Sequence, residues 1–233
     1  MLDSGPTPLP PLARRPGRGW LVLVGGASGH WTTTEAIDRA AIAAMRRDGP
    51  ITFLPAAGCE PEYGTSFLAH YRRLGAPEGD VVEVRDAASA RDPTHARRLA
   101  EASLVYIGGG DTRELLTIMA GSPALEALAQ AHDAGAVIVG ASAGAIALSA
   151  WGVPLDATVS ALEGWRWLPD TIVSPHHEGE RADRLRAAID ERPEHAGVGL
   201  PDDTALALGP EGEIETWGVA RIEVVIGAEF RQR

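Results

Sequence analysis

From Trp20 onward the chain repeats one pattern: a short, uninterrupted apolar run, a loop rich in small residues, then a segment with helical spacing. Trp20 to Val24 runs into Gly25-Gly26, and Thr34 to Arg47 carries Ile37, Ala40, Ala41, Ala44 and Met45 at the intervals of one helix face. The pattern recurs as Ile51 to Leu54 with a helix from Glu62 to Leu74, Val81 to Val84 with a helix from Pro93 to Glu101, and Leu104 to Ile107 with a helix from Arg113 to Met119. Strands buried on both faces read as continuous apolar runs. Their alternation with helices predicts an α/β fold, a mostly parallel sheet covered by helices on both faces. Gly152 to Pro169 is irregular, Thr171 to Val173 reads as a short strand, and Glu180 to Arg192 as a helix. Gly197 to Ile226 is a series of short β segments broken by Gly209-Pro210 and Gly212, which predicts antiparallel strands at the C-terminal edge of the sheet.

The fifth apolar run meets a serine. Ala136 to Ala150 reads AVIVGASAGAIALSA: a strand, then G-x-S-x-G, then good helix formers. A serine at so sharp a turn takes a sparsely allowed backbone conformation that only small neighbours permit, and Gly140, Ala141, Ala143 and Gly144 are such neighbours. Ser142 then projects its hydroxyl at the end of a buried strand, where the following helix aims unpaired N–H groups, that of Ala143 included. In a parallel sheet ligands bind outside the carboxyl ends of the strands, so the Gly108-Gly109-Gly110-Asp111-Thr112 loop after the fourth strand opens beside Ser142. Three successive glycines leave backbone N–H groups free to face an oxyanion. Close packing of a helix on a sheet is the plain alternative for the small residues.

Composition narrows the possibilities. A chain of 233 residues, 45% hydrophobic and 23% charged, suits one domain from residue 20 to 233. Met1 to Gly19, rich in proline and glycine, is expected to be a disordered or loosely attached leader. The formal net charge of -11 argues against nucleic acid or an anionic membrane as main partner. With Cys59 as the single cysteine, neither an internal disulfide nor a thiolate metal cluster is available, and no metal is expected. The absence of an apolar signal segment or spanning stretch leads to a cytoplasmic expectation. Gly25-Gly26-Ala27-Ser28-Gly29 superficially resembles a dinucleotide fingerprint. It lacks the third glycine, and no acidic residue closes Ile51 to Leu54, so no cofactor is expected. The sequence is compatible with a homodimer.

A serine nucleophile needs a base within hydrogen-bond reach, oriented by a carboxylate. His30, His70, His95, His132 and His195 fall in or beside helical stretches, where a solvated face accounts for them. His176 and His177 instead end a strand after Pro175, where sites are built. Among carboxylates, Asp202 lies between two short strands, while Glu163 and Asp156 lie nearer Ser142 in the chain. The residues alone leave the choice open.

Four motifs in one order carry a family resemblance: Ile107-Gly-Gly-Gly-Asp-Thr with Leu115-Leu116, Gly140-Ala-Ser-Ala-Gly-Ala145, Ser174-Pro-His176 followed by Arg181 and Arg184, and Gly199-Leu-Pro-Asp-Asp-Thr-Ala-Leu206. Together they resemble the serine peptidases that include aspartyl dipeptidase (peptidase E) and cyanophycinase, from about Trp20 to Ile226. The resemblance implies a class I glutamine amidotransferase-like, flavodoxin-like fold with serine in place of cysteine. It implies Ser142 as nucleophile, His176 as base, and the Gly110 and Ala143 amides as oxyanion hole. The third triad member falls by motif on Asp202, where the family more usually has glutamate, and Glu163 is kept in reserve. His177 stands where phenylalanine is typical and Asp111 where the dipeptidase has a neutral residue, and both are placed in substrate selection.

The resulting expectation is a hydrolase that cleaves a peptide or isopeptide bond beside an acidic residue, through an acyl-enzyme on Ser142. The substrate is then a small, acidic peptide, with Arg181 and Arg184 forking onto its carboxylate. Solvated helix charges paired with Glu178, Glu180 or Asp183 are the plain alternative for both arginines. Two other readings stand beside this one. An α/β-hydrolase esterase shares the elbow but orders its acid between serine and histidine, which favours Glu163. A catalytically silent binding protein would keep the pocket without the chemistry.

Overall fold

A computed structural model describes residues 12–156 and 158–230. In chain order the elements begin with β1 (Leu21–Val24), α1 (His30–Thr33), α2 (Glu35–Ala43), β2 (Ile51–Leu54), α3 (Pro61–Arg73) and β3 (Gly79–Val81). They continue with α4 (Pro93–Glu101), β4 (Leu104–Ile107), α5 (Thr112–Met119), α6 (Pro123–Asp133), β5 (Val137–Ala141) and α7 (Ala143–Leu148). The last third contributes β6 (Ser149–Gly152), β7 (Leu162–Glu163), β8 (Leu168–Pro175), α8 (Arg181–Asp190), β9 (Ala196–Leu200), β10 (Thr204–Leu208), β11 (Ile214–Gly218) and β12 (Glu223–Ile226).

The main sheet has seven strands in the order β11-β10-β1-β5-β4-β2-β3. Strands β1, β5, β4, β2 and β3 run parallel, and β10 and β11 close the edge antiparallel, as the glycine-broken C-terminal segments predict. Successive side chains alternate between faces. Leu21, Leu23, Val105, Ile107 and Ile138 therefore pack on one side, and Val22, Val24, Phe53, Tyr106 and Val139 on the other. Burial on both faces explains why these strands read as unbroken apolar runs.

The sequence reading misses a second sheet of five strands, β12-β9-β8-β6-β7, with β6, β8 and β9 parallel. Its longest member, β8, extends well beyond the short strand expected at Thr171 to Val173. The elbow helix stops at Leu148 because Ser149 turns back, its Oγ bonded to the Ile146 and Trp151 carbonyls, and β6 begins there. Helix α6, with Pro123 at its first turn and Ser122 as cap, is also absent from the sequence reading.

Of the expected leader, residues 1–11 lie outside the described residues. The stretch that follows lies against the body: Arg15 pairs with Asp133, and Arg14 donates to the Gly19 and Leu208 carbonyls. His132 is not on a solvated face but buried behind these arginines. Burial and then the two guanidinium charges lower its pKa to about 4, so it is neutral at pH 7.

Candidate active site

The carboxyl end of β1 organises the site. Val24 accepts the Ser142 N–H, Gly25 the His176 N–H, and Gly26 the Asp203 N–H, each at 3.0 Å. Three segments distant in sequence are thereby brought to one strand end, where a parallel sheet places its ligands. Ser142 has φ 51° and ψ -103° and caps α7, and His176 has φ 48°. Both are non-glycine residues in a sparsely populated region, a conformation that surrounding hydrogen bonds must hold. Close approach of Gly140 and Gly144 makes the turn, since a Cβ on Gly140 would fall within about 2.5 Å of the Gly144 carbonyl.

His176 Nε2 lies 2.9 Å from Ser142 Oγ, and Nδ1 lies 2.6 Å from Asp202 Oδ1. The second approach is an ion-pair distance without the alignment of a hydrogen bond, and Oδ1 is buried with no other partner among the described residues. The motif-based acid is therefore the one beside the histidine. Glu163 instead sits exposed on β7 and pairs with Arg166. The neighbouring Asp203 works on the loop rather than the histidine. Burial raises its pKa, but hydrogen bonds from the Ser28 hydroxyl and N–H and from Thr33 outweigh that and hold it below the usual range.

Gly26 fills a role that the sequence reading misses. A Cβ there would come within 2.5 Å of His176 Nδ1, and closer still to His176 Cε1 and Asp202 Oδ1. Gly26 is thus the space in which the His176–Asp202 pair stands, while Gly25 makes room for the Leu200 and Pro201 carbonyls. Gly26→Ala should displace the imidazole and lower kcat by roughly a hundredfold, because about 1 Å of misplacement costs that much. Kinetics of a folded Gly26→Ala protein check this, and unchanged kcat would contradict it.

The glycine loop after β4 abuts the serine: a Cβ on Gly109 would lie 3.5 Å from Ser142 Cβ. Neither the Gly110 nor the Ala143 N–H finds a protein acceptor among the described residues. Asp111 is exposed, and one of its two carboxylate oxygens is engaged by the chain. Its Oδ1 accepts from the Arg113 and Glu114 N–H groups and caps α5, although the residue lines a cavity wall.

Two cavities meet at Ser142. The smaller, ≈ 180 Å³, is walled by Gly110, Asp111, Arg113, Ile146, Leu155 and Asp156. The larger, ≈ 340 Å³, contains His176 and is walled by Trp31, Tyr63, Tyr106, Thr34, Cys59 and Leu155. Burial raises the pKa of the Tyr63 and Tyr106 hydroxyls and of the Cys59 thiol, so all three face the larger cavity uncharged. Behind that cavity Asp38, fully buried, accepts from Thr34, His70 and Tyr71, and Trp31 stacks on His70. His70 is thus buried behind the Trp31 wall rather than set on a solvated helix face.

Three substrate-binding assignments are corrected. Arg181 is buried and spends its guanidinium on the Pro175, Pro154 and Val153 carbonyls. Arg184 donates to the Leu155 and Asp156 carbonyls. His177 is buried, bonds Glu223 through Nε2 at 2.8 Å and packs against Gly199. None of the three lines either cavity. The arginine that does is Arg113, whose Nη2 donates to Thr158 Oγ1, leaving Nε and Nη1 without a partner among the described residues. Trp31, Tyr63 and Arg113 all follow the carboxyl ends of β1, β2 and β4. Applying the strand-end rule to every strand, rather than to two, would have found them.

Comparison with known proteins agrees with this layout. The model of Peptidase family S51 matches residues 21–214. A cyanophycinase from Geminocystis herdmanii is 28% identical over 221 residues, covering 90% of this chain and 81% of that protein. A cyanophycinase from Synechococcus elongatus is 27% identical over 219 residues, covering 89% and 68%. The crystal structure of a peptidase from an acI-B1 Actinobacterium superposes with a TM-score of 0.75 at 23% identity, over 94% of this chain and 96% of that one, a likeness of fold.

Proposed function

The chain belongs to peptidase family S51 and is a serine-type peptidase, and from that premise we propose that it hydrolyses a peptide or isopeptide bond through an acyl-enzyme on Ser142. The observation that carries the reading is the Asp202–His176–Ser142 series, 2.6 and 2.9 Å apart, at a strained elbow. His176 Nε2 takes the Ser142 proton as Oγ attacks the carbonyl carbon, and Asp202 stabilises the imidazolium that forms. The developing oxyanion is met by the Gly110 and Ala143 N–H groups, each such donor being worth about 3 kcal/mol in related sites. Protonation of the leaving amine by His176 yields the acyl-enzyme, and a water deprotonated by the same nitrogen releases the acid.

The acid follows the histidine in the chain, whereas an α/β-hydrolase places it between serine and histidine, so the peptidase reading is favoured over the esterase. For substrate, a bond beside an acidic residue is the proposal, with Arg113 taking the place that Arg181 and Arg184 hold in the sequence reading. The smaller cavity suits a short side chain and offers one guanidinium with unengaged donors. The larger, aromatic-walled cavity receives the group on the other side of the bond.

The test is a panel of Asp-X dipeptides, β-aspartyl peptides, neutral dipeptides and simple esters. Arg113→Ala should lower kcat/KM for acidic substrates roughly ten- to a hundredfold, the range for a lost hydrogen bond to a charged group, and leave neutral ones unchanged. An equal loss on both classes defeats the acidic reading.

A further inference from the structure

Arg181 and Arg184 lie one turn apart on α8, on the same side of the helix. Between them they donate to four consecutive carbonyls, Val153, Pro154, Leu155 and Asp156. Arg181 Nε also donates to Pro175 at 2.7 Å. That carbonyl belongs to the peptide group whose N–H, that of His176, donates to Gly25. The peptide plane entering His176 is therefore gripped on both edges, which fixes a residue otherwise disfavoured at φ 48°.

Arg181 forms no ion pair among the described residues, although it is 8% exposed. A buried cation outside any ion pair is costly, and the carbonyl dipoles, with the charge of nearby Glu180, compensate it. Its return is geometric. Leu155, 58% exposed, walls both cavities at Ser142, and its position comes from capture of its backbone rather than from packing of its side chain.

We infer that Arg181 and Arg184 form a backbone clamp, a pair of positioning residues that fix His176 and the Leu155 wall relative to each other without touching substrate. This rests on the peptidase reading for its kinetic consequences but not for its structural one. Arg184→Ala, at a half-buried position, should raise KM several-fold equally for acidic and neutral peptides, with kcat nearly unchanged, because only the wall is released. Arg181→Lys, a point charge in place of a fork, should lower kcat by roughly a hundredfold through the histidine. Exogenous guanidinium should restore much of the rate to Arg181→Gly.

Amide-resolved hydrogen exchange supplies the readout independent of turnover. The His176 and Val153 amides, bonded to Gly25 and Val173, should lose protection in Arg181→Lys while the core of β5 keeps it. The clamp is overturned if Arg184→Ala loses acidic substrates selectively, or if Arg181→Lys retains both kcat and His176 protection. A wild-type protein without Ser142-dependent turnover would defeat the peptidase reading, and the exchange result would still decide the clamp. Should Arg181→Lys fail to fold, the Arg184→Ala selectivity decides it.

Discussion

Alanine at Ser142 and alanine at His176 should each lower kcat by about a million-fold, and alanine at both should lower it no further. Residues that act as one unit are non-additive: once the nucleophile or its base is gone, the other has nothing to activate. Here the unit is defined by a single contact of 2.9 Å, and Ser142 Oγ has no second protein partner among the described residues. The fold should survive both changes. Each variant keeps its Cβ, so the strain at φ 51° and 48° is unaltered, and the backbone bonds to Val24 and Gly25 persist. His177→Ala is the control, since that ring bonds Glu223 away from the cavities. Additive losses in the double variant would mean that the two side chains serve separate steps.

Asp202→Asn should lower kcat by roughly 10³- to 10⁴-fold, while Glu163→Gln leaves it within about twofold. An amide at position 202 permits the wrong imidazole tautomer and removes the charge that stabilises the imidazolium. The side chain of Asp202 is 29% exposed, so the lower part of that range is the better expectation where water screens the pair. Glu163, in contrast, meets only Arg166 across 3.6 Å at the surface. Steady-state kinetics of the two variants, measured on one substrate, check the order. A larger loss in Glu163→Gln would move the acid to β7.

The parallel half of the fold was legible because its strands, Ile51–Leu54 and Leu104–Ile107 among them, are buried on both faces and therefore unbroken apolar runs. The second sheet was not, because β7 has two residues and β6 follows the elbow helix without a break in composition. Their pairing with β8 is a long-range event. Ser142, His176 and Asp202 came from strand-end position and motif, and they lie together. The arginines show the limit of such reading. A carboxylate partner leaves a mark in the sequence, whereas a carbonyl partner leaves none, so Arg181 and Arg184 resembled substrate ligands until their acceptors were visible. Gly26 was hidden for a similar reason: what it makes room for lies at positions 176 and 202.

Activation of Ser142 as a nucleophile by His176 can be read from intact-protein and peptide mass spectrometry after treatment with a serine-directed phosphonate. One phosphonyl group should be added on Ser142 in the wild-type protein and none in Ser142→Ala, with a strongly slowed rate in His176→Ala. Modification at any other residue, or equal labelling of the His176→Ala protein, would contradict it.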